Sequence, residues 1–198
     1  MRMQYYIYSL FCFLLPGTVW LICNRRMIAD KAYKVRHIIW IYIYMFYGYL
    51  AMQEAAGIGT IWDLITYGKL DNSINLIPFS SEDAMTYILN IIMFMPLGFL
   101  LPLIWKNFRN AKKVVLMGFL MSLAIEICQL FNLRTTDIDD LMMNTLGALA
   151  GYCCWKVFSL IFRNAGTKCM EIKKSEPVIY MFGGILGLFL LYNWRVFD

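Results

Sequence analysis

From Ala84 to Trp105 the chain reads AMTYILNIIMFMPLGFLLPLIW, a run without a single charged residue. Wound as a helix, a run of about 20 apolar residues is what crosses the hydrocarbon core of a bilayer. Comparable runs lie on both sides of it. Apolar run length marks six candidate spans, at Tyr5–Cys23, Ile38–Ala56, Ala84–Trp105, Val114–Phe131, Leu141–Phe162 and Val178–Trp194. Composition agrees: 61% of the 198 residues are hydrophobic and 16% charged, where a soluble domain carries about a quarter charged. A signal peptide would be one short apolar run before a polar mature chain; here the runs continue to the C-terminal end. The expected fold is an all-α polytopic bundle of about six transmembrane helices, a single domain over residues 1–198, without linker, low-complexity tract or internal repeat.

The loops orient the spans. Arg25, Arg26, Lys31, Lys34 and Arg36 follow the first span; Lys106, Arg109, Lys112 and Lys113 follow the third; Arg163, Lys168, Lys173 and Lys174 follow the fifth. With Lys156, one side takes 14 of the 18 Lys and Arg residues, and the other holds only Arg2, Lys69, Arg134 and Arg195. Positive loops stay cytoplasmic, so both termini are expected outside. The net charge of +5 is therefore topological, and without a basic stripe interleaved with aromatics nucleic acid is not an expected partner. Membrane lipids are.

The outer connection between the second and third spans is long, about residues 57 to 83. Ile58, Ile61, Trp62 and Ile65 recur at helical spacing near Asp63, Lys69 and Asp71, which predicts a short interfacial or re-entrant helix. Pro78 then holds Ile77 extended or in a turn. His37, where a basic loop meets an apolar run, reads as interfacial. The six cysteines show no CxxC pair and read as reduced packing residues. Tyr42, Tyr44, Tyr47 and Tyr49 read as packing and anchoring, and Gly183 with Gly187 as a helix contact.

Polar groups inside spans are costly in lipid and are functional candidates by default. Ser122, Glu126 and Gln129 form one polar stripe on the fourth span. Asp140 and Asn144 share a face of the fifth, continued by Gly147, Ala148 and Gly151 as a groove for close packing. Asn90 lies early in the third, before Pro96 and Gly98. Given the span directions, Asn90, Glu126, Gln129, Asp140 and Asn144 all fall in the outer third of the membrane, beside the loop residues Arg134, Thr135, Thr136 and Asp137. Plainer roles stand beside this one. Thr136, Asp137 or Asp139 can cap the fifth span, with Asp139 facing water. Asn90 and Asn144 can be interhelical hydrogen-bond glue, and Glu126 can pair with Arg134. Glu126 and Asp140 are expected to face one another with Arg134 above them.

Four ordered blocks now stand out: Asn75-Leu76-Ile77-Pro78-Phe79; Asn90-Ile91-Ile92-Met93-Phe94-Met95-Pro96-Leu97-Gly98-Phe99; Glu126 with Gln129; and Arg134-Thr135-Thr136-Asp137-Ile138-Asp139-Asp140-Leu141 running into Asn144-Thr145-Leu146-Gly147. In content, order and spacing they resemble the VanZ-like family of bacterial membrane proteins, over about residues 38 to 160. The resemblance implies a part in low-level resistance to teicoplanin and related lipoglycopeptides in a Gram-positive cell envelope. Carried over with the motif are Asn75, Asn90, Glu126, Gln129, Arg134, Asp137, Asp140 and Asn144.

The reading that follows is an envelope protein whose outer-leaflet polar cavity binds a lipid-linked cell-wall precursor or the lipoglycopeptide. Glu126, Asp137, Asp139 and Asp140 against Arg134 leave three net negatives, so a bare pyrophosphate is repelled. A cationic ligand, a bridging divalent cation held by oxygen ligands, or carboxyls kept protonated by burial each remain open. The alternative is a membrane-embedded enzyme using these acids on a lipid-linked substrate. No GxSxG, HExxH, phosphate-binding glycine loop or Cys–His pair accompanies them, and no cofactor is expected. A small secondary transporter would show inverted repeats and broken helices, for which only Pro16 and Pro96 offer a sequence signal. The orientation is checked with single cysteines in a cysteine-free background. One at Ser81 is expected to react with an impermeant thiol reagent on intact cells and one at Asn110 to stay protected, and the opposite pattern would move the polar cluster to the cytoplasmic leaflet.

Overall fold

The computed structural model describes residues 2–24, 31–57, 59–68, 74–79, 84–132, 135–162 and 173–197. The sequence features at Ile58, Lys69, Asp71, Ser81, Arg134 and Cys169 lie outside them. The described residues are all-α apart from two strand fragments. Its elements are α1 (Arg2–Asn24), α2 (Lys31–Tyr49) continuing as a π-helical segment (Leu50–Ala56), α3 (Ile61–Tyr67), β1 (Ile74–Asn75), α4 (Ala84–Ile104), α5 (Ala111–Gln129), β2 (Thr136–Asp137), α6 (Ile138–Ile161) and α7 (Glu176–Leu191). Three helices, Met3–Asn24, Ala84–Ile104 and Ala111–Asn132, are long and apolar enough to cross a membrane, and α7 is a shorter apolar helix. Pro16, Pro96 and Pro102 lie inside unbroken helices. The interruptions a transporter would place at Pro16 and Pro96 are thus not there.

Local chemistry sets the ends. Asn110 caps α5 by accepting from the Lys112 N–H, and Asp137 caps α6 by accepting from the Asp139 N–H, each relieving one of the amide donors a helix start leaves unsatisfied. The short α3 starts where Asp63 Oδ2 accepts from both the amide and the hydroxyl of Thr60, at 2.6 and 2.8 Å. It stops at Gly68, whose φ of +65° suits a residue without a side chain. A short helix therefore lies in the 57–83 connection.

The closest helix pair is α4 with α6. The two run parallel, with backbones near enough that a side chain at Gly147 would strike the Ile91 carbonyl and one at Gly151 the Met95 carbonyl. Such small-residue contacts bring helices together where lipid supplies no hydrophobic drive. α5 packs antiparallel on α6, and α7 lies antiparallel along α1, with Gly187 against Cys12 and Gly184 against Phe13. α2 fills the centre with buried Ile41, Tyr44 and Met45. Its tyrosines pack as expected: Tyr47 donates to the Met93 carbonyl at 2.9 Å, and Tyr49 bonds Ser9 at 2.9 Å.

The bundle therefore has two distinct ends. At one lie the starts of α1, α4 and α6 and the ends of α5 and α7, with α3 across them: Trp62 donates to Leu190 O and Trp194 to Asp63. At the other, the start of α2, the end of α4 and the start of α7 meet. That end carries Arg36, Lys106, Arg109, Lys112, Lys113 and Lys173 in the adjoining chain.

Candidate functional site

At the first end, β1 and β2 pair in parallel, Ile74 opposite Thr136 and Asn75 opposite Asp137. This two-residue ladder brings the turn before α4 onto the head of α6. Asn75 donates to Asp137 Oδ2 at 3.1 Å, while its own carbonyl oxygen takes the Ile77 N–H at 3.2 Å, closing an Asx turn. Two residues later Phe79 has φ +59°, a conformation bulky side chains avoid. Its N–H donates to Asp139 Oδ1 at 2.7 Å, and Tyr87 OH donates to Asp139 Oδ2 at 2.8 Å. The turn is held in an unfavourable backbone region by a carboxylate with both oxygens engaged.

One turn further into the bundle, Asn90 donates to Asp140 Oδ1 at 2.5 Å, tying α4 to α6. Glu126, 3% exposed near the end of α5, accepts the Asp137 N–H on Oε2 at 3.1 Å. Thr136 Oγ1 donates to the Glu126 carbonyl at 3.2 Å. Asn144, 2% exposed, donates to Ser122 Oγ at 2.9 Å, joining the two polar stripes of α5 and α6. Gln129 is buried on the face of α5 that carries Glu126. Glu126 Oε1 and Asn144 Oδ1 are among the acceptors in this head that are buried with no hydrogen-bond partner. Among the described residues there is no group of three or more His, Cys, Asp or Glu side chains that could hold a metal ion.

A family model described as VanZ/LLP1 matches residues 33–160. The chain is also 35% identical over 134 residues to Protein VanZ of Enterococcus faecium, covering 67% of this chain and 77% of that one. It belongs to the VanZ/LLP1 family. The eight residues singled out from the sequence all lie within the matched VanZ/LLP1 region, which leaves out α1 and α7. The family and the apolar helices together mark a membrane protein. No solved structure matches the chain.

Of those eight, Asn75, Asn90, Glu126, Asp137 and Asp140 are joined to one another or to adjoining backbone at this end, Asn144 bonds the Ser122 side chain, Gln129 lies beside them, and Arg134 falls outside the described residues. Asp139 needs correcting. It is not a water-facing cap but fully buried, and the cap is Asp137. Adjacent positions at a helix start point in different directions, and only the fold shows which one the Phe79 turn covers. Tyr87, a lone tyrosine near the start of an apolar run, carries no sequence signal for this contact.

His37 is buried against protein, 6% exposed, and its Nε2 lies 3.0 Å from Glu176 Oε1. Glu176, 0% exposed, also accepts from Tyr180 OH and Trp105 Nε1, each at 3.0 Å. This carboxylate rivets α2, α4 and α7 at the opposite end. Its sequence neighbours Lys173 and Lys174 disguise it as part of a solvated loop.

Asp139 is expected to hold the site's shape. Asp139→Ala strips two donors of a charged acceptor, each bond worth about 1.5–3 kcal/mol, and should cost roughly 3 kcal/mol or more of unfolding free energy. Tyr87→Phe should cost about half of that. Denaturant titration in detergent checks both, and an Asp139→Ala cost below about 0.5 kcal/mol would remove Asp139 from that role.

Proposed function

We propose that this chain is a multi-pass protein of a bacterial cell membrane, with about six crossings and with both termini and the acidic head on the extracytoplasmic side. In this reading it contributes to low-level resistance to teicoplanin and related lipoglycopeptides by binding, in that head, the drug or a lipid-linked envelope component. The orientation is supported by the gathering of basic residues at the end remote from Glu126. The short α3 then lies at the outer interface. Membership of the VanZ/LLP1 family supports the resistance association.

One observation carries the binding role: four separated chain segments spend their polar side chains on shaping a single head, and within it Glu126 keeps a buried acceptor oxygen unused. The large majority of buried polar groups have a hydrogen-bond partner, so an open carboxylate oxygen in such a network calls for a donor. Asp137 and Asp139 each have both carboxylate oxygens engaged by amide or hydroxyl donors. That suits residues that position a ligand-binding group better than residues that pass protons, and favours binding over acid–base catalysis.

The test is drug susceptibility in a strain with the gene deleted and then restored. Restoration is expected to raise the minimal inhibitory concentration of teicoplanin. Glu126→Gln, which keeps the shape and can still accept the Asp137 N–H, should fail to restore it while reaching the membrane at normal abundance. Full resistance with Glu126→Gln would remove the binding role from this site, and unchanged susceptibility on deletion would remove the resistance role from the chain.

A further inference from the structure

The charge and the hydrogen-bond inventory of the head specify what it can hold. Residues 126–144 carry four carboxylates, Glu126, Asp137, Asp139 and Asp140, and one basic residue, Arg134. Counted as ionised, and with Arg134 in full, they leave three negative charges. Neutral donors reach the carboxylates here, among them the amides of Asp137, Asp139 and Phe79, the side-chain amides of Asn75 and Asn90, and the Tyr87 hydroxyl. They fix geometry without cancelling charge.

The groups left over are of one kind. Glu126 Oε1 and Asn144 Oδ1 are acceptors on side chains 3% and 2% exposed; Asn144 on α6 bonds Ser122, which lies one turn before Glu126 on α5. An unpaired carboxylate oxygen at that depth is costly and calls for a donor. A phosphate offers acceptors to acceptors and negative charge to negative charge. An ammonium offers three donors, no acceptor and one positive charge. Among the described residues no three His, Cys, Asp or Glu side chains are grouped as a metal ion's ligands. Leu76, Ile77 and Phe79, in the segment after β1, are exposed by 65 to 69% and offer an apolar surface on which a tail could lie.

We propose that the head is an ammonium site: it takes the protonated primary amine of an amphiphilic ligand, with N–H donors to Glu126 Oε1 and Asn144 Oδ1. This rests on the binding role given to the head above and names the chemistry of what is bound. It also sets the ligand's polarity, since the amine must be carried by a molecule whose remainder tolerates that apolar surface.

Full-length protein in a neutral detergent provides the test, with dodecylamine, N-acetyl-dodecylamine, dodecyl phosphate, Mg²⁺ and Ca²⁺ as probes at neutral pH. A ligand that binds only the folded form raises the melting temperature by mass action. Dodecylamine is expected to raise it in a saturable way, while its uncharged acetyl derivative and dodecyl phosphate do not. Glu126→Gln should abolish the shift. Asn144→Leu, tested alongside in case Glu126→Gln does not fold, should weaken dodecylamine binding at least tenfold. Stabilisation by dodecyl phosphate would keep the head as a binding site but overturn the ammonium assignment. Saturable stabilisation by Mg²⁺ or Ca²⁺ in place of the amine would overturn it too. No response to any probe would sink both the ammonium site and the binding role on which it rests. A dodecylamine shift of equal size in Glu126→Gln and Asn144→Leu would place the amine elsewhere and end the proposal.

Discussion

The approach of α4 to α6 is the constraint on which the rest of this molecule depends. Gly147 and Gly151 on α6 and Gly98 on α4 let two backbones meet where any side chain would collide with a carbonyl. In an apolar medium this contact is held by dispersion and polar pairing, because burying leucine against leucine gains little over leucine against lipid. Once the helices are that close and parallel, their starts are side by side. Asn90 falls opposite Asp140, and the chain ahead of each helix can pair as a strand, Asn75 beside Asp137. The head is thus a product of helix packing well below it.

The two ends of the bundle carry the same residue chemistry put to different uses. Glu176 sits fully buried with three donors divided over its two oxygens. Nothing is left for a ligand, and the carboxylate serves to hold α2, α4 and α7 in register. Glu126 is almost as deeply buried, yet its recorded bond is to Oε2, and Oε1 has no partner. A buried carboxylate with one open oxygen keeps a desolvation cost that a bound donor would recover. That difference, more than burial or charge, separates a candidate site from a rivet.

Much of this was legible in the sequence because lipid simplifies the code. Uncharged runs about 20 residues long have few folds open to them, and Ser122, Glu126, Asp140 and Asn144 stand out because their spacing puts polar groups on single helical faces. The short helix at Ile61–Tyr67 was foreshadowed by its apolar spacing. What stayed hidden depends on contacts distant in sequence. Asp139 and Asp140 are equivalent in a list of residues, and only the Phe79 turn, 60 residues earlier, makes Asp139 the anchor. His37 and Glu176 are 139 residues apart, and each is flanked by basic residues that suggest solvent. The β1–β2 ladder has only two pairs, too short for any alternation to announce it.

The central claim is that the head exists because α4 and α6 present Asn90 and Asp140 to one another, and a double-mutant cycle on that pair measures it most directly. Unfolding free energies of the wild type, Asn90→Ala, Asp140→Ala and the double variant in one detergent give the coupling. A bond to a carboxylate in apolar surroundings should yield about 1 kcal/mol or more. Additivity within about 0.3 kcal/mol would mean that the two side chains do not meet, and the account of the head would be wrong.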